Sequence, residues 1–426
     1  MIKLTIMKYE LTKLKNGTRL LTIPMPGVKS LTTLVLFGVG SRYEDDKIAG
    51  LSHFLEHMHF KGSAKRPTAM QISETVDNVG GEINAFTSKE YTGYYIKVDG
   101  KHGELALDVL SDMLQTPILD QEEITRECGV ITEEIKMYED QPMAYVGELF
   151  EEHLFGKNDL GRQTIGSRAS VAALSSNDFL QYRRTHYNPT NSVIVLAGDV
   201  SKVENKVDQY FNAQNDLQPP KYLSVAVKNP EKSFLMHTKE TEQTHLWLGF
   251  KAMASEDPDR YILKIISTIL GGGMSSRLFM QVRERRGLAY YVRCHSELYL
   301  DNGYMVASAG VTTEKFDEAV LAIMAEMKNI RETNVEAKEL QKAKEYLKGK
   351  MALNLENSEN VAEMAGLQEI LHKEILTPEQ IAHRYDAVTA DDVKRVAQKI
   401  ITNDRLTLAA ISSVDYSEWL ASHLSL

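Results

Sequence analysis

The chain has 426 residues, of which 43% are hydrophobic and 25% charged, and its formal net charge at pH 7 is −10. This length exceeds one ordinary hydrophobic core, and the composition is typical of a soluble globular protein with two or about three domains. The acidic balance argues against nucleic acid as the main partner. The two cysteines, Cys128 and Cys294, lie far apart in the sequence, which indicates no metal-binding pair and favours a reducing compartment.

The N-terminal segment and the apolar runs indicate where the protein resides. Residues 1–10 contain no long apolar region and are not rich in arginine or serine, unlike secretory or transit peptides. No apolar run approaches the ~20 residues that a membrane-spanning helix needs. We therefore expect a cytoplasmic protein without a membrane partner.

The first half of the chain mixes predicted strands and helices. Strands are expected where β-branched and aliphatic residues cluster, and helices where apolar residues recur every three or four positions. The predicted strands are 19–23, 31–37, 85–88, 94–98 and 192–197, and the predicted helices are 49–60, 70–79, 103–114 and 121–138, with a further helix beginning at 177.

The second half repeats this order after a proline-rich, polar segment at 215–233. That segment is predicted as the linker between an N-terminal domain, 1–214, and a C-terminal domain, 234–426. Asp178 and Asp392 lie 214 residues apart, and each begins a helix that leads into an aliphatic strand, which indicates an internal duplication. We predict an α+β fold of two homologous domains, each a largely antiparallel sheet with helices packed on one face.

The strongest local signal is the run His53-Phe54-Leu55-Glu56-His57. Two histidines four residues apart lie on the same face of a helix, and imidazole is a favourable ligand for Zn²⁺. Glu56 lies on the flank of that face, where it can reach a metal-bound water without binding the metal, as in the H-x-x-E-H arrangement. Taken alone, the pattern also fits two helix histidines beside a salt-bridging glutamate.

Zinc needs a third protein ligand if one position is to stay open for catalysis. The best candidates are Glu127 and Glu134, which are seven residues apart and share one helix face to within about 20°. One carboxylate can bind zinc while the other supports the site from behind the ligands. Glu133 points roughly 100° away from Glu134. Without the histidine motif, a solvated acidic helix face would be the favoured interpretation.

Residues 50–62, Gly-Leu-Ser-His-Phe-Leu-Glu-His-Met-His-Phe-Lys-Gly, resemble the active-site helix of the pitrilysin/insulinase zinc metallopeptidases, the inverzincins. Residues 80–92 and 126–135 resemble the same family, and the similarity covers essentially the whole chain. The branch it is most similar to is the bacterial one that resembles mitochondrial processing peptidase. The resemblance implies a half-clamshell fold in which the N-terminal domain binds the metal.

The resemblance also implies a role for each candidate residue. The zinc ligands would be His53, His57 and Glu134, with one ion per chain, Glu56 as general base and Glu127 as supporting carboxylate. Glu133 becomes the rival third ligand if the correspondence shifts by one residue. His59 departs from the family, whose members usually carry a small or aliphatic residue there. It lies about 200° around the helix from His57 and should not bind the same ion.

The substrate is expected to bind in an extended conformation. In relatives the peptide adds as a strand to an exposed sheet edge, and the matching segment here is Asn84-Ala85-Phe86-Thr87. Main-chain pairing gives affinity with little demand on the peptide sequence, although an ordinary internal strand is the alternative. In the processing-peptidase branch, acidic residues beyond the third-ligand helix receive a substrate arginine. Glu148 is the corresponding candidate, and a solvated helix face is its alternative.

The C-terminal half lacks an H-x-x-E-H sequence and is expected to bind no metal. In the larger single-chain relatives, an arginine and a tyrosine seven residues apart face the catalytic site across a chamber, and Arg283 and Tyr290 match that spacing. They would supply a cationic donor and a phenol near the developing oxyanion, and the alternative is an arginine on a solvated basic helix beside a packed tyrosine. The glycine-rich run 271–273 either lies near the substrate path, as in relatives, or ends a helix in a tight turn.

In those relatives one long chain forms the closed chamber, and a chain of 426 residues would form only half of it. We therefore expect two chains to enclose a peptide, either as a homodimer or with a related chain. The predicted function is a zinc-dependent endopeptidase that hydrolyses unfolded peptides or presequence-like segments with a zinc-bound water activated by Glu56. The alternative is a non-catalytic assembly or regulatory subunit of a processing-peptidase-like complex, which the complete zinc motif disfavours.

Overall fold

The structure, a computed structural model, describes residues 7–213, 218, 222 and 233–426. The strands in this part are β1 Glu10–Lys13, β2 Arg19–Pro24, β3 Ser30–Phe37, β4 Glu82–Thr87, β5 Thr92–Asp99, β6 Ser192–Gly198, β7 Phe234–Thr238, β8 Thr244–Lys251, β9 Ala289–Leu298, β10 Gly303–Val311 and β11 Leu406–Ser412.

The α-helices lie between and after these strands along the chain. They are α1 Leu51–His59, α2 Ala69–Asp77, α3 Gly103–Gln115, α4 Gln121–Glu139, α5 Pro142–Phe155, α6 Arg168–Ala172, α7 Ser176–His186, α8 Val207–Tyr210, α9 Arg260–Gly271, α10 Phe316–Glu332, α11 Ala337–Asn354, α12 Ser358–His372, α13 Pro378–Asp386, α14 Ala390–Ile400 and α15 Ser417–His423. None of the helices in the described ranges combines the length and the apolar character that crossing a bilayer would require.

The chain forms two compact units, and each takes segments from both halves of the sequence. The first unit is Met1–Lys136, Arg162–Leu223 and Ala352–Glu379, and the second is Met137–Gly161, Ser224–Met351 and Gln380–Leu426. The predicted linker, 215–233, lies almost entirely outside the described residues. The predicted domain boundaries therefore stay predictions.

The first unit is built on a six-stranded sheet with the order β1-β2-β6-β3-β5-β4. Neighbouring strands are antiparallel except β2 and β6, which are parallel. One face of the sheet packs against α1 and α3, and the other is covered by α12, whose Ala362 and Ala365 lie against Leu34 and Leu36. Strand β4 ends the sheet next to α1, and within the described residues it pairs with β5 alone.

The second unit repeats this topology with the order β7-β11-β8-β10-β9, again with one parallel pair, β7 and β11. Helices α7 and α14 occupy matching places before the last strand of each half, and each begins with a capping box, Ser175 with Asp178 and Thr389 with Asp392. One face of this second sheet packs against α5. The predicted α+β fold with two homologous, largely antiparallel halves is confirmed, and α5 and α12 add a helix on the second face of each sheet.

Candidate metal centre

Helix α1 has one buried apolar face and one polar face that is half buried. Its fully buried apolar side chains are those of Leu51, Phe54, Leu55 and Met58. Their packing in the core of the first unit sets the rotation of the helix about its axis. The opposite face therefore presents His53, Glu56 and His57, each partly accessible.

The N-terminus of α1 is held by Glu44. Its two carboxylate oxygens accept hydrogen bonds from the backbone N–H groups of Gly50, at 2.7 Å, and Ser52, at 2.6 Å. These groups have no acceptor within the helix, and a carboxylate also stabilises the positive end of the helix dipole. Burial raises the pKa of Glu44 to about 7. Gly50 has a φ of 92°, and a Cβ there would lie 2.6 Å from the carbonyl oxygen of Ile165, so only glycine fits.

Helix α4 supplies the acidic side chains that face α1. Its buried isoleucines are Ile124, Ile131 and Ile135. Glu127 and Glu134 lie between these residues along the helix and are directed inwards with them, whereas Glu133 is exposed and pairs with Lys136 on the solvent side. The structure thus brings Glu134, and not Glu133, to the histidines.

The side chains of His53, His57 and Glu134 converge on one point. Their potential ligand atoms all lie within 4.8 Å of one another. The Nε2 atom of His53 is 3.7 Å from one carboxylate oxygen of Glu134, and the Nε2 atom of His57 is 3.6 Å from the other. Tetrahedral zinc with bonds of about 2.0–2.1 Å places its donors roughly 3.3 Å apart, so these separations are close to what the ion requires. Two imidazole nitrogens and one carboxylate oxygen are also a donor set that zinc prefers.

Glu127 orients His57 from the side away from that point. Its Oε1 atom lies 2.8 Å from Nδ1 of His57, and its Oε2 atom lies 2.5 Å from Nζ of Lys61. Burial acts to raise the pKa of Glu127, but the hydrogen bonds from His57 and Lys61 outweigh it and the pKa is lowered. An ionised Glu127 accepts a hydrogen bond from the N–H group at Nδ1 of His57, which leaves the lone pair of Nε2 directed at the convergence point.

His53 is the more buried of the two histidines. Burial, together with the neighbouring His57, lowers the pKa of His53 to about 4, so its ring is neutral at pH 7. Its Nε2 atom faces Glu134, and its Nδ1 atom is buried without a hydrogen-bond partner among the described residues. A neutral imidazole with Nε2 turned inwards is the form that binds a metal.

Glu56 lies beside the convergence point and outside the set of potential ligands. Its Oε2 atom accepts a hydrogen bond of 2.5 Å from the hydroxyl of Thr87, the last residue of β4. Burial raises the pKa of Glu56, although the bond from Thr87 acts to lower it. A carboxylate with a raised pKa is suited to accept and return a proton near neutral pH.

His59 is kept apart from this group on the buried side of α1. It is fully buried, with Nδ1 3.0 Å from the hydroxyl of Tyr94 and its ring centroid 5.6 Å from that of Tyr187. Burial lowers the pKa of His59 well below its usual value. It is a core residue, in agreement with the prediction that it does not share the ion of His57.

Of the remaining candidates, Asn84, Ala85 and Phe86 lie on β4 in the first unit, whereas Glu148, Arg283 and Tyr290 lie in the second unit. The guanidinium carbon of Arg283 is 4.9 Å from the ring centroid of Phe279 and 5.8 Å from that of Tyr290, so the structure brings Arg283 and Tyr290 together. The side chain of Tyr290 is 74% exposed and is available to another molecule. Glu148 is half buried on α5. The catalytic and substrate-binding roles of these residues stay predictions.

The glycine run 271–273 follows directly on α9, which ends at Gly271. A Cβ at Gly271 would lie 2.0 Å from the backbone nitrogen of Cys294 on β9, so the end of the helix packs directly on the strand. The interpretation of this run as a helix end is therefore confirmed. A role near the substrate path stays a prediction.

Sequence reasoning did not assign two residues that hold this site together, Glu44 and Lys61. The spacing could have indicated Lys61, because it follows His57 by four residues and a side chain one helical turn later can face the same direction. A signal for Glu44 is the absence of a serine, threonine, aspartate or asparagine at the position of Gly50, which leaves the helix N-terminus in need of an acceptor from elsewhere.

Both halves of the chain match known peptidase families. Residues 19–168 match the family described as Insulinase (Peptidase family M16), and residues 173–347 match the Peptidase M16 inactive domain. A protein of Bacillus subtilis named uncharacterized zinc protease YmxG is 37% identical over 93% of this chain and 97% of its own. An uncharacterized zinc protease of Streptomyces coelicolor is 36% identical over 92% of this chain and 86% of its own.

Solved structures show the same fold at lower identity. A protease from Helicobacter pylori has a TM-score of 0.87 and 22% identity, and covers 96% of this chain and 100% of its own. A peptidase M16 inactive domain from Pseudomonas fluorescens has the same TM-score at 18% identity, and covers 96% of this chain and 98% of its own. With the family matches at both halves and relatives that align over nearly its full length, this chain belongs to the M16 (insulinase) peptidase family, among relatives named zinc proteases.

Proposed function

We propose that this chain is a zinc-dependent endopeptidase that hydrolyses unfolded peptides or presequence-like segments. The observation that carries the proposal is the convergence of His53, His57 and Glu134, with Glu56 beside them and outside the ligand set. Three protein ligands leave one coordination position open, which is the arrangement of a catalytic zinc site and not of a structural one. Membership of the M16 family supports this chemistry.

Each residue around that site has a separate proposed role. Bound zinc, one ion per chain, would polarise the scissile carbonyl and lower the pKa of a water molecule. Glu56 takes the proton of the attacking water and returns it to the leaving nitrogen. Thr87 holds the carboxylate of Glu56 by its hydroxyl, and Glu127 holds the ring of His57.

The peptide is proposed to bind as an added strand on β4. This strand ends its sheet, so within the described residues one of its edges has no strand partner. Asn84, Ala85, Phe86 and Thr87 form the end of β4, and Thr87 contacts the proposed base directly. A peptide paired with this edge would run past the polar face of α1, and its main chain would supply most of the affinity.

A second copy of the chain is proposed to complete the site. The neighbouring side chains of Arg283 and Tyr290, with the phenol largely exposed, would approach the developing oxyanion of the partner's site. Glu148 would receive a basic side chain of the peptide. Mixing the variants Glu56→Gln and Arg283→Ala tests this arrangement, because a mixed dimer would contain one site with both residues intact. Recovery of activity on mixing supports it, and two inactive variants that stay inactive together contradict it.

The proposed activity is tested by cleavage of an unstructured basic peptide. We expect the wild type to cut the peptide, and Glu56→Gln to bind a full equivalent of zinc and cut nothing. Glu133→Gln, which changes an exposed glutamate of the same helix as Glu134, is the matched control and should behave as the wild type. A wild type that binds no zinc and cuts nothing at any concentration would instead support a non-catalytic assembly or regulatory subunit.

A further inference from the structure

Lys61 and His57 meet on a single carboxylate. Lys61 lies just beyond the C-terminal end of α1, and its Nζ atom is 2.5 Å from Oε2 of Glu127. The other oxygen of Glu127 lies 2.8 Å from Nδ1 of His57. Glu127 on α4 thus bridges an ammonium group and an imidazole, one on each oxygen.

Because this bridge is buried, each oxygen of the Glu127 carboxylate depends on the partner it has. The side chain of Glu127 is 6% exposed and that of Lys61 is 27% exposed. A buried carboxylate needs a partner for each oxygen, because water cannot replace a lost hydrogen bond there. Removal of the ammonium group would allow the carboxylate to rotate away from Nδ1 in search of another donor.

We propose that Lys61 is a positioning residue for the metal centre: by holding Oε2 of Glu127, it keeps Oε1 aligned with Nδ1 of His57, so that Nε2 of His57 faces Glu134. The inference deepens the proposed function and rests on the zinc site described above. Lys61 does not contact that convergence point itself, so its effect must pass through Glu127.

Matched variants distinguish this role from a general structural one. Lys61→Met removes the ammonium group and keeps most of the aliphatic stem, whereas Lys61→Arg keeps a cationic donor. Lys136→Met is the control, because Lys136 forms a comparable pair with Glu133 on the exposed side of α4. Zinc affinity of the full chain, measured by competition with a chelator, is the first readout.

We expect Lys61→Met to weaken zinc binding about tenfold, within the 10–100-fold range typical for groups that support a ligand. Lys61→Arg should bind within about threefold of the wild type, and Lys136→Met should be unchanged. Glu127→Gln should weaken binding at least as much as Lys61→Met. If Lys61 acts through Glu127, adding Lys61→Met to Glu127→Gln should cause no further loss.

The second readout is the tautomer of His57 in the metal-free protein, observed by ¹⁵N NMR. The wild type should carry its proton on Nδ1, and Lys61→Met should show a mixture of tautomers. Unchanged zinc affinity and an unchanged tautomer in Lys61→Met, or losses that simply add to those of Glu127→Gln, would overturn the inference. A wild type that binds no zinc would overturn the proposed function instead, and the tautomer would still decide the role of Lys61.

Discussion

The hydroxyl of Thr87, the last residue of strand β4, donates a hydrogen bond of 2.5 Å to the carboxylate of Glu56 on helix α1. This bond joins the edge strand proposed to bind the peptide to the carboxylate proposed to act as base. Because Thr87 belongs to the paired part of β4, the position of the carboxylate is set relative to the strand. A peptide added to β4 would therefore be placed in a defined register with the base.

The first prediction concerns this hydroxyl. Thr87→Val keeps the size and branching of the side chain and removes the donor, so the Glu56 carboxylate loses a hydrogen bond of about 1.5–3 kcal/mol. We expect kcat to fall roughly tenfold or more, since each ~1.4 kcal/mol corresponds to a factor of ten. Zinc content should not change, and Thr87→Ser should restore most of the activity. Loss of zinc together with activity would show instead that the substitution disturbs the ligands.

The second prediction concerns the cap of α1. In Glu44→Gln the side-chain amide can accept only one of the two backbone hydrogen bonds from Gly50 and Ser52, and its NH₂ group faces the other donor. We expect the free energy of unfolding in urea to fall by about 1–3 kcal/mol. Asp46→Asn is the control, because the side chain of Asp46 is almost fully exposed. Equal stability of Glu44→Gln and the wild type would contradict the capping role.

The third prediction concerns pH. Burial raises the pKa of Glu44 from 4.5 to about 7, so between these values the folded protein binds a proton that the unfolded chain has lost. The stability that the folded protein gains from protonated Glu44 is therefore complete below pH about 4.5, and it decreases as the pH rises through about 7. Urea unfolding of the metal-free protein should show a larger difference between the wild type and Glu44→Gln at pH 5 than at pH 8. A difference that grows with pH would contradict this.

The fourth prediction concerns a buried ion pair next to the edge strand. Arg42 is fully buried, lies 2.5 Å from Glu90 and is covered by the ring of Tyr222 at 4.1 Å. Arg42→Met leaves Glu90 buried without its arginine and should reduce the free energy of unfolding by about 3–5 kcal/mol. The double variant Arg42→Met with Glu90→Gln should be more stable than Arg42→Met alone. Additive losses in urea unfolding would show that the two side chains are not coupled.

The fifth prediction compares two glycines of the second unit. A Cβ at Gly271 would lie 2.0 Å from the backbone of Cys294, so Gly271→Ala must displace the end of α9 from β9 and should cost about 1–3 kcal/mol. A Cβ at Gly349, inside α11, meets no atom within 4 Å. Gly349→Ala should therefore raise the melting temperature, because alanine favours a helix over glycine by about 0.5–1 kcal/mol. Thermal unfolding of both variants tests whether the two substitutions shift the melting temperature in opposite directions.

The elements of the first unit were largely predictable because their signals are local. Apolar spacing predicted α4 as 121–138, and the structure has Gln121–Glu139. The predicted strand 31–37 is β3, Ser30–Phe37. The covering of the first sheet by α12 was not predictable in this way, because α12 lies more than 300 residues from the strands β2 and β3 that it packs against. The buried residues of α12 follow a helical spacing, but that spacing does not indicate which distant surface the helix packs against.

The shared helix face of His53 and His57 follows from their spacing alone, because two side chains four residues apart on a helix point in nearly the same direction. The seven-residue spacing of Glu127 and Glu134 likewise predicts that these two point the same way. The spacing does not show which of the two glutamates faces the metal position. The packing of α4 against α1 places Glu134 opposite the histidines and Glu127 within hydrogen-bond distance of Nδ1 of His57. These contacts join α1 to α4 across some 70 residues of chain, and packing of both helices into one core, not local geometry, brings them within bonding distance.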